Sequence, residues 1–277
     1  MKPAEAAGVY RDKRCGQLVM IGLVFIWLAV LVLLPLYCIV REVYQYGAAA
    51  CWTSLQESSA LHAFMLTFWL TVSAVCINTV IGVLTAIVLV RHRFRGKLIL
   101  DGIIDLPFAV SPVVAGFMFV TLFGPRGWIG SLVEPQGIKI IYAFPGMMIA
   151  TLFVTFPFVI REVVPVLREF GLEQEEAAFV LGASPWQAFW RVTLPSVQWG
   201  LIYGVTLTIA RSIGEFGAVL VVSGAVINST QSATLYVHQK FTDFDYAGTF
   251  AAALILALLS FITLLGIQYI QTRKSHG

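Results

Sequence analysis

Six runs of apolar residues divide this chain, each long enough to cross a bilayer, which takes about 20 residues of helix. The first, Leu18 to Val40, has 23 residues and no charge and follows the basic Arg11, Lys13 and Arg14. Its length exceeds the roughly 7–15 apolar residues of a signal peptide, and the nearest small-residue site, Ala48-Ala49-Ala50, lies well beyond it. An uncleaved helix is therefore expected. The further runs are Ala63 to Val90, Gly102 to Phe123, Ile140 to Ile160, Gln198 to Ile227 and Ala247 to Ile270. Pro107, Pro112, Pro145 and Pro157 fall inside them and predict kinks that neighbouring helices can absorb. The fold class is an all-α integral membrane protein with six transmembrane helices.

Composition agrees with this pattern. Of 277 residues, 58% are hydrophobic and 12% charged, about half the charged fraction of a soluble domain. That excludes an ordinary soluble enzyme, a nucleic-acid binder and a disordered chain. Six spans place both termini on one side, and lysine and arginine choose it. With the termini inside, the inner segments hold 13 of the 18 basic residues, the outer loops hold four, and Arg211 lies in a span. The termini, the Arg91–Asp101 loop and the Arg161–Val197 loop are expected in the cytoplasm. The basic run Arg91 to Lys97 reads as a topology determinant attracted to anionic lipid. Cys15, Cys38, Cys51 and Cys76 show no CxxC spacing and read as buried small hydrophobes.

The 37-residue loop from Arg161 to Val197 is too long to be a passive connection. Glu173 to Leu181 has good helix propensity, with acidic residues in its first turn, where the macrodipole favours them. Gly182 stands where a C-terminal glycine belongs. Ser184, Pro185 and Gln187 then form a capping-box signature for a second helix. Along it Trp186, Phe189, Trp190 and Thr193 share a face, and Pro195 punctuates the approach to the fifth run. The shape is a rigid helix–glycine–helix elbow. Two readings fit it: an interfacial device with tryptophans at headgroup level, or a docking site for a cytoplasmic partner.

The residues of the elbow favour docking. Glu176-Ala177-Ala178, Gly182 four positions after Ala178, and Val192-Thr193-Leu194-Pro195 resemble the EAA signature of binding-protein-dependent ABC importer permeases, with Val192 where the pattern has isoleucine. The resemblance implies a type-1 permease core over 63–270, with a first helix at 18–40 and cytoplasmic tails at 1–17 and 271–277. It implies that the elbow, 173–195, docks on an ATP-hydrolysing subunit through Glu175, Glu176, Ala177, Ala178, Gly182, Ala183, Ser184, Leu194 and Pro195. Asp105 to Gly116 (DLPFAVSPVVAG) and Gly214 to Ala218 (GEFGA) are similar to the sulfate/thiosulfate permeases, and the fifth run also resembles molybdate permeases. Family resemblance thus implies a sister permease, two ATP-binding subunits, a periplasmic sulfate/thiosulfate-binding protein and the lipid of a bacterial inner membrane as partners, with no cofactor and no nucleic acid. A molybdate or tungstate permease is the nearest alternative.

Other chemistry lacks its signatures. Gly96-Lys97 is followed by Leu98, so there is no phosphate-cradling GxxxxGK[ST]. His62, His92, His238 and His276 are not at metal-ligand spacing, and no HExxH or GxSxG occurs. An ion-coupled secondary transporter would use ionisable residues in the membrane. Arg211 and Glu215 form the one such pair well inside a run, four apart and expected on one helix face, neutralising each other. They are candidates for a pathway or gating role, or for an intrahelical pair that stiffens the span. Gly200, Gly204, Gly214 and Ala218 permit close helix approach, within the chain or against a sister permease.

Overall fold

A computed structural model describes the backbone of residues 17–274 and side chains through Gly266. Cys15, His276, Lys2, Arg11, Lys13, Arg14 and the side chains of Arg273 and Lys274 lie outside the described residues, and with them most of both expected tails. Apart from a short helical turn at Gly130–Val133 continued by a 3-10 turn at Glu134–Gln136, the helices are α1 (Gln17–Tyr46), α2 (Ala48–Leu55), α3 (Ser58–Arg91), α4 (Lys97–Ala109), α5 (Pro112–Phe123), α6 (Phe144–Phe170), α7 (Glu173–Val180), α8 (Pro185–Ile213), α9 (Gly217–Ser223), α10 (Ala233–Thr242) and α11 (Tyr246–Lys274). No strand occurs among the described residues.

Five of these helices are long and apolar enough to span a bilayer singly: α1, α3, α6, α8 and α11. The third apolar run differs from expectation. It is two half-helices, α4 and α5, bent by 113°. Val110 and Ser111 adopt extended conformations before Pro112, as the steric demand of a following proline requires. Packing shows that the pair still traverses the bundle. Ile104 and Leu100 of α4 join a core with Leu89 at the end of α3 and Leu167 at the end of α6. Phe119, Val120 and Phe123 of α5 join a second core with Met147 and Ala150 at the start of α6. The two half-helices together reach from one end of the bundle to the other, and counted as one broken span they bring the candidate crossings from five to six.

Helix α6 is the centre of the bundle, packed on both α3 and α8. Close approach is set by small residues. A Cβ at Gly82 would meet Val159 Cβ at 2.8 Å, and one at Gly204 would meet Val159 Cα at 2.8 Å. Gly200 lies against the Glu162 carbonyl, and Ala218 is fully buried in the second core. These small residues therefore serve packing within the chain. One polar bridge reinforces it: Asn78 Nδ2 donates to Thr155 Oγ1 (2.8 Å), both buried between α3 and α6. The first helix behaves differently. None of the most apolar stretch of α1 is buried, and in its last turn Tyr46 stacks on Phe250 of α11. Of the cysteines, Cys51 is buried as expected, but Cys38 and Cys76 face outward among apolar neighbours.

Candidate functional site: the elbow and the double break

The long loop shrinks in the structure. Helix α6 runs on through Arg161 and Arg168 to Phe170, and α8 begins at Pro185. Only α7 and two short joints separate them. Helix α7 spans Glu173–Val180 with Glu173, Glu175 and Glu176 in its first turn. It ends in a Schellman turn: Ala183 N donates to the Ala178 carbonyl and Gly182 N to the Phe179 carbonyl, both at 3.0 Å, with Gly182 at φ +86°. The capping box is complete, Gln187 N donating to Ser184 Oγ (3.3 Å) and Ser184 N to Gln187 Oε1 (2.9 Å).

Pro195 does not interrupt the chain, contrary to the sequence reading. The helix passes through it from Pro185 to Ile213, so the elbow's second arm and the fifth span are one rod. A π-turn at Phe189–Thr193 precedes Leu194 and Pro195 and lets the helix absorb the proline's missing N–H. Glu175 is turned inward. Its Oε1 accepts from Arg91 Nη2 at the end of α3 and from Thr193 Oγ1 in the π-turn, each at 2.8 Å. The Arg91 and Glu175 side chains are only 11% and 12% exposed, so this pair is shielded enough to clamp three elements. Glu176, Ala177, Gly182, Ser184 and Pro195 are outward, while Ala178, Ala183 and Leu194 are half-buried. The tip exposes Val180, Leu181 and an interlocked cluster of Trp186, Phe189 and Trp190, with ring centroids 5.4–6.1 Å apart. Exposed apolar tips of this kind mark interaction surfaces.

A second constellation sits where two spans break. The fifth run is not one helix to Ile227: α8 stops at Ile213, Gly214 to Phe216 are irregular, and α9 follows. Helix α9 packs on α5, with a Cβ at Gly217 falling 3.1 Å from Pro112 and one at Gly116 falling 2.8 Å from Val221. Arg211 Nη1 lies 2.6 Å from Glu215 Oε2, so the expected ion pair exists. It is not intrahelical, because Glu215 lies beyond the helix end. Glu215 Oε1 accepts from Ala218 N (2.9 Å), capping α9, and its backbone carbonyl accepts from Thr234 Oγ1 (2.7 Å). The Glu215 side chain is 1% exposed and that of Arg211 32%. One partner is a buried strut, and the other keeps guanidinium donors available. Irregular backbone at membrane depth is tolerated only inside protein or beside a water-filled cavity.

Two features escaped the sequence reading. Arg91 was legible only as a basic residue, since its partner lies 84 positions on. Arg161 donates from Nε to Asp105 (2.7 Å) and from Nη1 to Asp101 (2.8 Å), tying α4 to α6. Two carboxylates four apart, Asp101 just before the third apolar run and Asp105 inside it, were the available signal for such a cation. No group of His, Cys, Asp or Glu among the described residues is arranged to hold a metal ion.

The site has relatives. The sulfate transport system permease protein CysW of Synechocystis sp. is 45% identical over 257 residues, covering 93% of each chain. The sulfate transport system permease protein CysT of Escherichia coli (strain K12) is 36% identical over 258 residues, again 93% of each. A bacterial alginate ABC transporter, solved with an alginate pentasaccharide-bound periplasmic protein, shares the fold: TM-score 0.78, 16% identity, 96% of both chains. Residues 78–276 match the family of binding-protein-dependent transport system inner membrane components, and this chain, a multi-pass membrane protein, belongs to that family.

Proposed function

We propose that this chain is one permease subunit of an ATP-driven importer of sulfate and thiosulfate, working beside a sister permease, two ATP-binding subunits and a periplasmic sulfate/thiosulfate-binding protein in a bacterial inner membrane. Identity of 45% to a sulfate permease along almost the whole chain carries the substrate class. The elbow supplies the coupling: closure of the ATPase pair presses on the tip around Gly182 and Trp186. The Arg91–Glu175–Thr193 clamp passes that displacement to α3 and, through the unbroken rod of α8, to the double break. Glu176, exposed in the first turn of α7, meets the ATPase directly. The elbow end and both termini face the cytoplasm, as the basic-residue count favours.

Arg211 lies on the ion's path. A partly exposed guanidinium within a span is costly unless it faces a cavity, and its spare donors suit an oxyanion. Weak holding there is sufficient, because an ion bound tightly at the midplane would leave slowly.

The test is uptake of radiolabelled sulfate by vesicles containing the assembled complex, with thiosulfate or molybdate as competitor. ATP-dependent uptake blocked by thiosulfate and not by molybdate supports the reading. Preferential block by molybdate overturns the sulfate assignment and keeps the importer. Uptake that ignores ATP and collapses with the proton gradient overturns the importer itself.

A further inference from the structure

The double break holds two opposite charges that are anchored unequally. Glu215 is fixed. Its side chain is 1% exposed, its Oε1 accepts from Ala218 N at 2.9 Å, and its backbone carbonyl accepts from Thr234 Oγ1 at 2.7 Å. Arg211 is not fixed in this way. Its side chain is 32% exposed, and its Nη1 lies 2.6 Å from Glu215 Oε2. That contact is one of charge alone. Oε2 is buried and takes part in no hydrogen bond, and the Arg211 guanidinium donates none to any described residue. Among the described residues no second cation forms an ion pair with Glu215.

This inequality decides what the pair can do. An arginine placed for stiffness commits its fork of donors to carboxylates, as Arg161 does with Asp105 and Asp101. The donors of Arg211 are uncommitted, so the guanidinium can turn to an arriving oxyanion while the carboxylate stays behind it. The buried charge then acts on the ion across the arginine. Coulomb energy scales with the product of the charges, so an unopposed guanidinium in a span would attract a dianion twice as strongly as a monoanion. An ion held that strongly leaves slowly. A fixed negative charge beside the guanidinium offsets its field and leaves the close, directed contact as the main attraction.

We propose that Glu215 sets the strength of Arg211's hold on the transported ion: it is a buried counter-charge that keeps release of a doubly charged oxyanion fast. Glu215 does not touch the ion. It is a positioning residue that acts through Arg211. The proposal rests on the importer reading above and on the place given there to Arg211. Its consequence is that loss of the carboxylate impairs transport by making the ion stick, not by emptying the path.

The experiment uses the complete complex in proteoliposomes with ATP enclosed and sulfate-loaded binding protein outside. It reads the appearance of radiolabelled sulfate in the lumen, over the first turnover and at steady state. Glu215→Gln keeps an acceptor for Ala218 N and removes the charge. It is expected to slow release about tenfold or more and to lower maximal uptake in step, with the half-saturating concentration of binding protein unchanged. The double variant Arg211→Gln/Glu215→Gln removes the trap with its cause, and release is expected to return to within about threefold of wild type. A counter-charge predicts this recovery. A strut does not, because a second loss at a strut adds to the first. Wild-type release in Glu215→Gln overturns the proposal and leaves the importer standing. A double variant as slow as Glu215→Gln, or one that does not assemble, assigns Glu215 to holding the break together and overturns it as well. A wild-type complex that delivers no sulfate with ATP overturns the importer reading and the proposal with it.

Discussion

At the residue scale the two glutamates of the elbow separate cleanly. Glu175 points inward to Arg91 and Thr193, and Glu176 points out. Adjacent positions on a helix differ by about 100°, so neighbours of one chemistry can serve opposite tasks. Glu175→Gln keeps an acceptor for Thr193 and removes the charge facing Arg91. Leaving that arginine half-shielded and unpaired weakens the clamp by about 1–3 kcal/mol. The expected outcome is faster hydrogen exchange across residues 173–193 and a lower ratio of uptake to ATP hydrolysed. Glu176→Arg is expected to leave exchange in the isolated subunit unchanged and to weaken ATPase binding. Gly182→Val tests the turn itself. A Cβ there meets nothing within 4 Å, so the penalty is the left-handed backbone alone, about 1–2 kcal/mol for a residue with a side chain. The protein should reach the membrane at normal abundance yet transport poorly, and normal uptake by this variant would count against the coupling role.

Charge state is also a residue-scale matter at the other end of the bundle. Burial pushes the Asp245 carboxyl up, but the Lys240 ammonium and the Gly248 N–H outweigh it and hold it below its ordinary 3.8. Burial likewise works against the Lys240 ammonium, and Asp245 and Glu57 outweigh it, so this group stays charged above its ordinary range. A depressed carboxyl contributes stability above its unfolded value and loses it as pH falls through the folded one. A raised ammonium contributes below its unfolded value of 10.5 and loses it only above that. The joint between α10 and α11 should therefore be equally protected from pH 5 to 9 and loosen below about pH 4. Hydrogen exchange over residues 236–249, corrected for intrinsic rates, measures this.

At the element scale, legibility followed the range of the interaction. The capping box, the Schellman glycine and the acidic first turn are local chemistry, and the elbow they specify was readable from Glu173 to Gln187. The breaks were not. Pro112 signalled a bend, but its 113° angle depends on α5 packing against α9. Pro195 signalled a boundary, and a π-turn that no local rule announces carried the helix through it. Hydropathy likewise ran α8 and α9 together, because Gly214 to Phe216 are apolar apart from Glu215. Gly200 and Gly204 were read as close-approach sites, either within the chain or against a sister permease. Both meet α6, whereas Gly214 is exposed, so Gly204→Val should drive Val159 away and overpack the interface at about 1–3 kcal/mol. A fall of several degrees in the thermal midpoint of detergent-solubilised protein is expected, whereas the same substitution at Gly266, where a Cβ meets nothing, should be neutral.

For the whole molecule, the arrangement of ends is what makes coupling mechanical. Arg91, the start of α4 and the elbow gather at one end; Glu57, the start of α6 and α10 gather at the other. Because the bent pair crosses, α1 and α11 run so that Gln17 and Lys274 point toward the elbow end, their opposite ends meeting at Tyr46 and Tyr246. The orientation proposed above, with the elbow end in the cytoplasm, rests on the expected excess of lysine and arginine on that side. A single cysteine at Ser184 and another at Asp243, each in a background without the four native cysteines, expose this to test. A membrane-impermeant thiol reagent should label Ser184→Cys only in inverted vesicles and Asp243→Cys only in right-side-out preparations. Labelling of both from one side would mean that the chain does not span as six crossings, and the transmission from elbow to double break would lose its physical basis. The opposite pair of sides would place the elbow where no ATP is available, leaving the clamp at Arg91 with nothing to transmit.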